Sequence, residues 1–145
     1  MEKIQIVSLE MKKDRDLIVK SKNLSSPKDA YEIIRGFLEN KDREYFMAIA
    51  LDCKNNINHI NTVSIGTLNT GLVHPREVFK FAILANAANI ILAHNHPSGN
   101  PTPSKEDINI TNRLVEGGKI LGIEVIDHII VGDDEYISLK QKGII

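Results

Sequence analysis

Apolar residues recur at helical spacing in three stretches of this chain and at strand spacing in the stretches between them, and that alternation leaves few folds open. In SSPKDAYEIIRGFLEN, Ser26 stands at an N-cap position and Pro27 at the first helical position, with Ala30, Ile33, Ile34, Phe37 and Leu38 following on one face. EYFMAIALD and HINTVSIG are β-type runs separated by the polar turn KNNIN, which reads as a hairpin. Pro75 opens a second helix, REVFKFAILANAA, and NIILAH follows as a short apolar strand that ends on His94. A third helix begins after Ser104 and runs through Ile108, Thr111, Leu114 and Val115, with Gly117, Gly118 and Gly122 weakening and then ending it. A last hairpin joins IEVIDHIIV to EYISL across GDD. Antiparallel hairpins at both ends of an alternating pattern predict an α/β domain: a layered mixed β-sheet with flanking helices. The domain is expected over residues 26–145. Residues 1–25, in which Ile4, Ile6 and Ser8 alternate, read as a strand or arm leading into it.

Composition narrows the setting. At 145 residues the chain suits one compact domain with a single core. Cys53 is the one cysteine, so neither an intrachain disulfide nor a cysteine-based zinc cluster can form, and a reducing cytoplasm is the natural compartment. The start, MEKIQIVSLEMKK, lacks the form of a signal peptide, and the longest apolar region, Ala82 to Ala93, is broken by Asn86 and Asn89 and too short to span a bilayer. No membrane partner is expected. The formal net charge is −1 with basic residues scattered among acids, so composition gives no positive sign of nucleic-acid binding.

The stretch that carries chemistry is HNHPSGNPTPSKEDI. His94 and His96 lie two apart at the end of a strand, so their side chains project to one face. The loop HPSGNPTP holds three prolines and a glycine and cannot be regular structure. If it folds the third helix back over the strand end, Asp107 becomes a third ligand, and two imidazoles with a carboxylate suit zinc. Each piece has a plainer reading. Histidines before proline are often surface hydrogen-bonders, and Ser104 to Asp107 has the form of a capping box, which needs no metal.

Taken together, the two histidines, the following proline, the Pro-Ser before the helix and the aspartate separated from His96 by ten residues resemble the JAMM signature of the JAB/MPN metalloprotease superfamily. The longer stretch HPREVFKFAILANAANIILAHNHPSGNPTPSKEDI, with DHIIVG after it, resembles the RadC-type branch, and the likeness runs from about Ser26 to the C-terminus. RadC-type proteins commonly carry an N-terminal helix-hairpin-helix region, for which the segment before Ser26 is too short. The resemblance implies a JAB/MPN fold, of cytidine-deaminase-like architecture, and Zn2+ held by His94, His96 and Asp107. It implies hydrolysis of a peptide or isopeptide-like amide bond by metal-activated water. A serine at the Ser104 position would stabilise the tetrahedral intermediate, and an upstream glutamate would act as base. Glu44, at the start of EYFMAIALD, is preferred over Glu77, which sits near a helix N-terminus where an acid favours the dipole. A hydroxyl used as a helix cap is hard to spare for an oxyanion, so Ser104 is expected to cap between turnovers. Asn95 stands where deubiquitinating members usually have Ser or Thr, which argues against ubiquitin as the substrate.

Other polar residues carry less. Asp127 and His128 lie on an apolar strand, and either is a candidate to orient a metal ligand or a buried group satisfied by the backbone. His74 reads as a helix-start residue and His59 as an exposed strand residue. Arg76 either faces the cleft or pairs with an acid, and Cys53 reads as a small residue near a strand end. Besides a hydrolase of an unidentified protein or peptide, two other functions fit the resemblance: a DNA repair or recombination factor, and a metal-stabilised interaction module without catalysis. A zinc nucleobase deaminase is excluded, because it requires His-x-Glu and Pro-Cys-x-x-Cys.

Overall fold

A computed structural model describes residues 1–67 and 73–145. The elements follow in the order α1 (Pro27–Leu38), β1 (Tyr45–Leu51), β2 (Ile57–Ile65), α2 (Pro75–Leu84), β3 (Asn89–Asn95), α3 (Lys105–Leu121), β4 (Glu124–Val131) and β5 (Tyr136–Ser138). They form one five-stranded sheet of order β2-β1-β3-β4-β5. The β1–β2 and β4–β5 hairpins and the β1–β3 pair are antiparallel, whereas β3 and β4 are parallel, joined through α3. The sheet is therefore mixed, as the alternation of patterns predicts. Among the described residues, no helix is long and apolar enough to cross a membrane.

Helices cover both faces, which is why β1 and β3 are apolar almost throughout. Phe46, Ala48 and Ala50 of β1 and Ile90 and Leu92 of β3 pack against α2 and α3 through Val78, Phe79, Ala82, Ile110 and Leu114. The alternate residues, Met47, Ile49, Leu51, Ile91 and Ala93, pack against α1 through Ala30, Tyr31, Ile34 and Leu38. Continued by two residues, the parity of β3 aims His94 at the α3 side of the sheet. In β4 the parity changes: between the pairs Ile90↔Val125 and Ile91↔Asp127 the register slips by one residue. That bulge turns His128 toward the same side as Val125 and leaves Asp127 to the other.

Local chemistry sets the helix ends. Ser26 and Asp29 form a reciprocal capping box at α1 with Pro27 in the first turn, as its sequence indicates. His74 caps α2, its ring accepting from the Arg76 amide. α3 starts at a second capping box, Ser104 with Asp107, passes through Gly117 and Gly118, and stops at Gly122 in the left-handed conformation. Gly118 has a packing reason for lacking a side chain, since a Cβ there would run into the Ile123 carbonyl oxygen.

Of the two readings of the N-terminal residues, strand or arm, the strand does not form. Residues 1–19 form no strand, and Ile4, Ile6, Val7, Leu9 and Ile18 are exposed. Alternation over so few residues does not make a strand without a partner edge to complete its hydrogen bonds. Arg15 lies over the Phe37 ring of α1, and the backbone is tied to the domain where the Lys22 carbonyl accepts from the Ile57 amide and Asn23 bridges to Asn56.

Two of the helical glycines, Gly36 and Gly118, separate propensity from packing. Gly36 lies on an exposed turn of α1 with open space around it, so Gly36→Ala is expected to stabilise the protein by about 0.5–1 kcal/mol. Gly118→Ala is expected to destabilise it by about 1–3 kcal/mol through overpacking. Denaturant unfolding of the two variants beside the parent checks both signs.

Candidate metal centre

Three segments converge at the end of β3. His94 is the penultimate residue of the strand and is fully buried; His96 lies just past it, with its amide donating to the Val131 carbonyl at 2.9 Å. The loop that follows is anchored by its own backbone. Gly99 donates to the His96 carbonyl, and the Gly99 carbonyl accepts from the Asp133 amide, each at 2.9 Å. Gly132 makes that docking possible, because a Cβ there would collide with the Gly99 carbonyl oxygen. The loop delivers Ser104 and the first turn of α3 to the two histidines, folding the third helix back over the strand end.

Asp107 closes the group. Its Oδ2 lies 3.0 Å from His96 Nε2, its Oδ1 lies 3.2 Å from His94 Nε2, and the two Nε2 atoms are 3.0 Å apart. The same carboxylate accepts from the Ser104 amide at 2.8 Å, while the Ser104 hydroxyl accepts from the Asp107 amide at 3.1 Å. The capping box and the ligand set are thus one structure and not rival readings. Asp107 is 2% exposed and His94 0%, whereas the His96 side chain keeps 12%, so solvent reaches the group from the His96 side.

The ionisation of these groups follows from this crowding. Burial opposes a charge on Asp107, but hydrogen bonds from His94, His96 and the Ser104 amide outweigh it and hold the carboxyl far below the usual range. Asp107 in turn raises the pKa of His96, against the effect of burial; the Asn100 carbonyl and the charge of Glu44 add to the rise. Burial, and then the charge of His94, push His128 well below an ordinary histidine. The residues fit a metal. His96 Nδ1 is taken up by the Asn100 carbonyl at 2.8 Å and His94 Nδ1 by His128 Nε2 at 2.7 Å. A neutral His96 keeps its hydrogen on Nδ1 for the Asn100 carbonyl, so the three contacts among the two Nε2 atoms and the carboxylate share at most one hydrogen and lone pairs face one another. A cation between them resolves that repulsion, and His94, His96 and Asp107 could hold one.

Around the group, Asn95 does what the sequence reading missed. It points to the opposite face from its neighbours, is 3% exposed, and grips the segment before β1. Its Oδ1 accepts from the Tyr45 amide at 2.7 Å and its Nδ2 donates to the Arg43 carbonyl at 3.0 Å. Glu44 lies between those two contacts, half-buried, with its carbonyl bonded to the Gly66 amide. Glu77 is on the exposed first turn of α2, 2.8 Å from Lys80 Nζ. Of the pair on β4, His128 is the one that meets His94. Asp127 accepts instead from the His128 amide, the Ser138 hydroxyl and the Lys140 amide, tying β4 to the chain around β5. His59, Arg76 and Cys53 are exposed away from these contacts. Thr111 and Phe46 complete the surroundings: Thr111 Oγ1 is 2.6 Å from His128 Nδ1, and Phe46 stacks on His94 with centroids 6.0 Å apart. Thr111 was within reach of the sequence, being four residues after Asp107 and so on the same helical face. A cleft of about 620 Å³ opens beside His96, bordered by Arg35, Glu39, Lys41, Asn95, Asp133 and Asp134.

The comparisons agree with this architecture. The model of the RadC-like JAB domain matches residues 24–144. A UPF0758 protein of Methanosarcina mazei is 51% identical over 124 residues, which is 86% of this chain and 54% of that protein. UPF0758 proteins of Desulforamulus reducens and Caldanaerobacter subterraneus subsp. tengcongensis are 55% and 54% identical over 119 and 121 residues, covering 82% and 83% of this chain and 52% of each relative. The chain thus spans about half the length of the curated relatives it matches. With the sheet order, the capped third helix and the two-histidine, one-aspartate group in hand, the chain belongs to the RadC-like JAB domain family.

Proposed function

We propose that this domain is a zinc-dependent hydrolase that cleaves a peptide or isopeptide-like amide bond, acting in the cytoplasm on a protein or peptide. The observation that carries this reading is the convergence of His94 Nε2, His96 Nε2 and the Asp107 carboxylate within 4.8 Å of one another, with His94 and Asp107 buried and His96 partly open to solvent. Bound there, zinc would acidify a water and polarise a carbonyl, the two things amide hydrolysis near neutral pH demands.

The chain's own residues divide the remaining work. Glu44, pinned at the rim by the Asn95 grip on its neighbours, takes the proton of the attacking water and hands it to the leaving nitrogen. Its electrostatic influence on His96 supports that assignment. Ser104 donates to the oxyanion of the tetrahedral intermediate. Its helix cap uses an oxygen lone pair, since the hydroxyl accepts from the Asp107 amide. The hydroxyl hydrogen therefore remains for the substrate, and capping and catalysis need not alternate. Asp107, ionised and shared between two imidazoles and a backbone amide, fixes the separation of the ligands.

Elemental analysis of the purified protein is expected to give about one zinc per chain, and the His94→Ala, His96→Ala double variant to give none. On a peptide library, Glu44→Gln is expected to cut kcat by about 10²–10⁴-fold with zinc content unchanged, while Glu77→Gln stays near the parent. If chelation lowered the melting temperature but the loaded protein cleaved nothing, the domain would be a metal-stabilised module and the hydrolase reading would fall.

Zinc affinity is expected to depend on pH with a fixed sign. Only deprotonated His96 can ligate, and its pKa is raised above that of an ordinary histidine by Asp107 and the Asn100 carbonyl. As pH falls through that raised value a proton displaces the ion, so apparent affinity should drop about tenfold per unit. Competition titrations with a chelator between pH 5.5 and 8 check this; a flat profile contradicts it.

A further inference from the structure

We propose that His128 and Thr111 are positioning residues that dictate which nitrogen of His94 faces the metal. Thr111 Oγ1 lies 2.6 Å from the Asp107 carbonyl oxygen and 2.6 Å from His128 Nδ1. A carbonyl only accepts, so the single hydroxyl hydrogen of Thr111 is committed to Asp107. His128 Nδ1 must then donate to Thr111. Its other nitrogen, Nε2, is 2.7 Å from His94 Nδ1 and in a neutral ring can only accept, so His94 carries its hydrogen on Nδ1. His94 Nε2 is left with a lone pair aimed at His96 and Asp107.

The chain of bonds runs from one candidate ligand to another: His94 to His128, His128 to Thr111, Thr111 to the backbone of Asp107. It links β3, β4 and α3 through side chains that are all 0% exposed except Asp107, at 2%. These side chains are shielded from bulk solvent. The reverse assignment, with a hydrogen on His128 Nε2, would push the His94 hydrogen onto Nε2 and close the ligand position. Phe46 restricts ring flipping by stacking on His94 and meeting the His128 ring edge-on, with centroids 5.5 Å apart. The bulge in β4 gives this role to His128 and withholds it from Asp127. The role rests on the metal reading above, and the bond count is independent of it.

The test compares zinc affinity, by competition with a chelator, in wild type, Thr111→Val and Thr111→Ser, alongside imidazole 15N spectra. Valine keeps the shape and removes the hydroxyl; affinity should fall about 10–100-fold, and serine should restore it to within about threefold of wild type. The wild-type spectra should place the His128 hydrogen on Nδ1, with or without zinc, and the loaded His94 hydrogen on Nδ1. Equal affinity in wild type and Thr111→Val, or a His128 hydrogen on Nε2, overturns the relay while leaving the metal reading intact. A wild type that takes up no zinc overturns the metal reading and this role together. Should Thr111→Val fail to fold, the wild-type spectra decide alone.

Discussion

A carboxylate that is 2% exposed has to be matched by donors or by a cation, and Asp107 is matched on every side by groups from different parts of the chain. The Ser104 amide holds it as a helix cap, His94 approaches from a strand in the middle of the sheet, and His96 from the loop beyond that strand. The start of α3, the end of β3 and the anchoring of the intervening loop are therefore one interaction. Loss of any of the three would leave a buried charge short of partners, which costs more than the loss of a single hydrogen bond.

The placement of this carboxylate follows from the sheet. β3 and β4 are parallel neighbours, so the helix that connects them starts above the carboxyl ends of both strands, the position where open α/β sheets form their sites. The first turn of α3 has unpaired amides and a positive partial charge, which favour an acid at its third position. An imidazole pair brought to the same place makes that structural acid a candidate third ligand. The opposite side of the site depends on Asn95, whose contacts with Arg43 and Tyr45 fix the approach of the segment that holds Glu44.

Much of this was legible before any coordinates. The Ser26 and Ser104 caps, the apolar β3, the proline-bound loop and the same-face spacing of His94 and His96 all express short-range rules, and each appears where those rules put it. The mixed sheet followed from the pairing of hairpins at both ends of an alternating chain. Long-range pairing was not legible. Whether Asp127 or His128 turns toward His94 depends on a one-residue slip of β4 against β3, and nothing within β4 itself announces it. The structural role of Asn95 was not legible because its partners, Arg43 and Tyr45, are about fifty residues away in sequence. Alternation in residues 4–8 suggested a strand, but a strand requires a neighbour, and that segment has none to pair with among the described residues.

The central claim is that two imidazoles and one carboxylate of a single chain enclose a zinc ion, and X-ray absorption at the zinc edge of the loaded protein tests it most directly. The account predicts a shell of nitrogen and oxygen at about 2.0–2.2 Å, with imidazole scattering from two rings and no sulfur. A sulfur distance near 2.3 Å, which would point to Cys53, or a shell with no imidazole signature would contradict it.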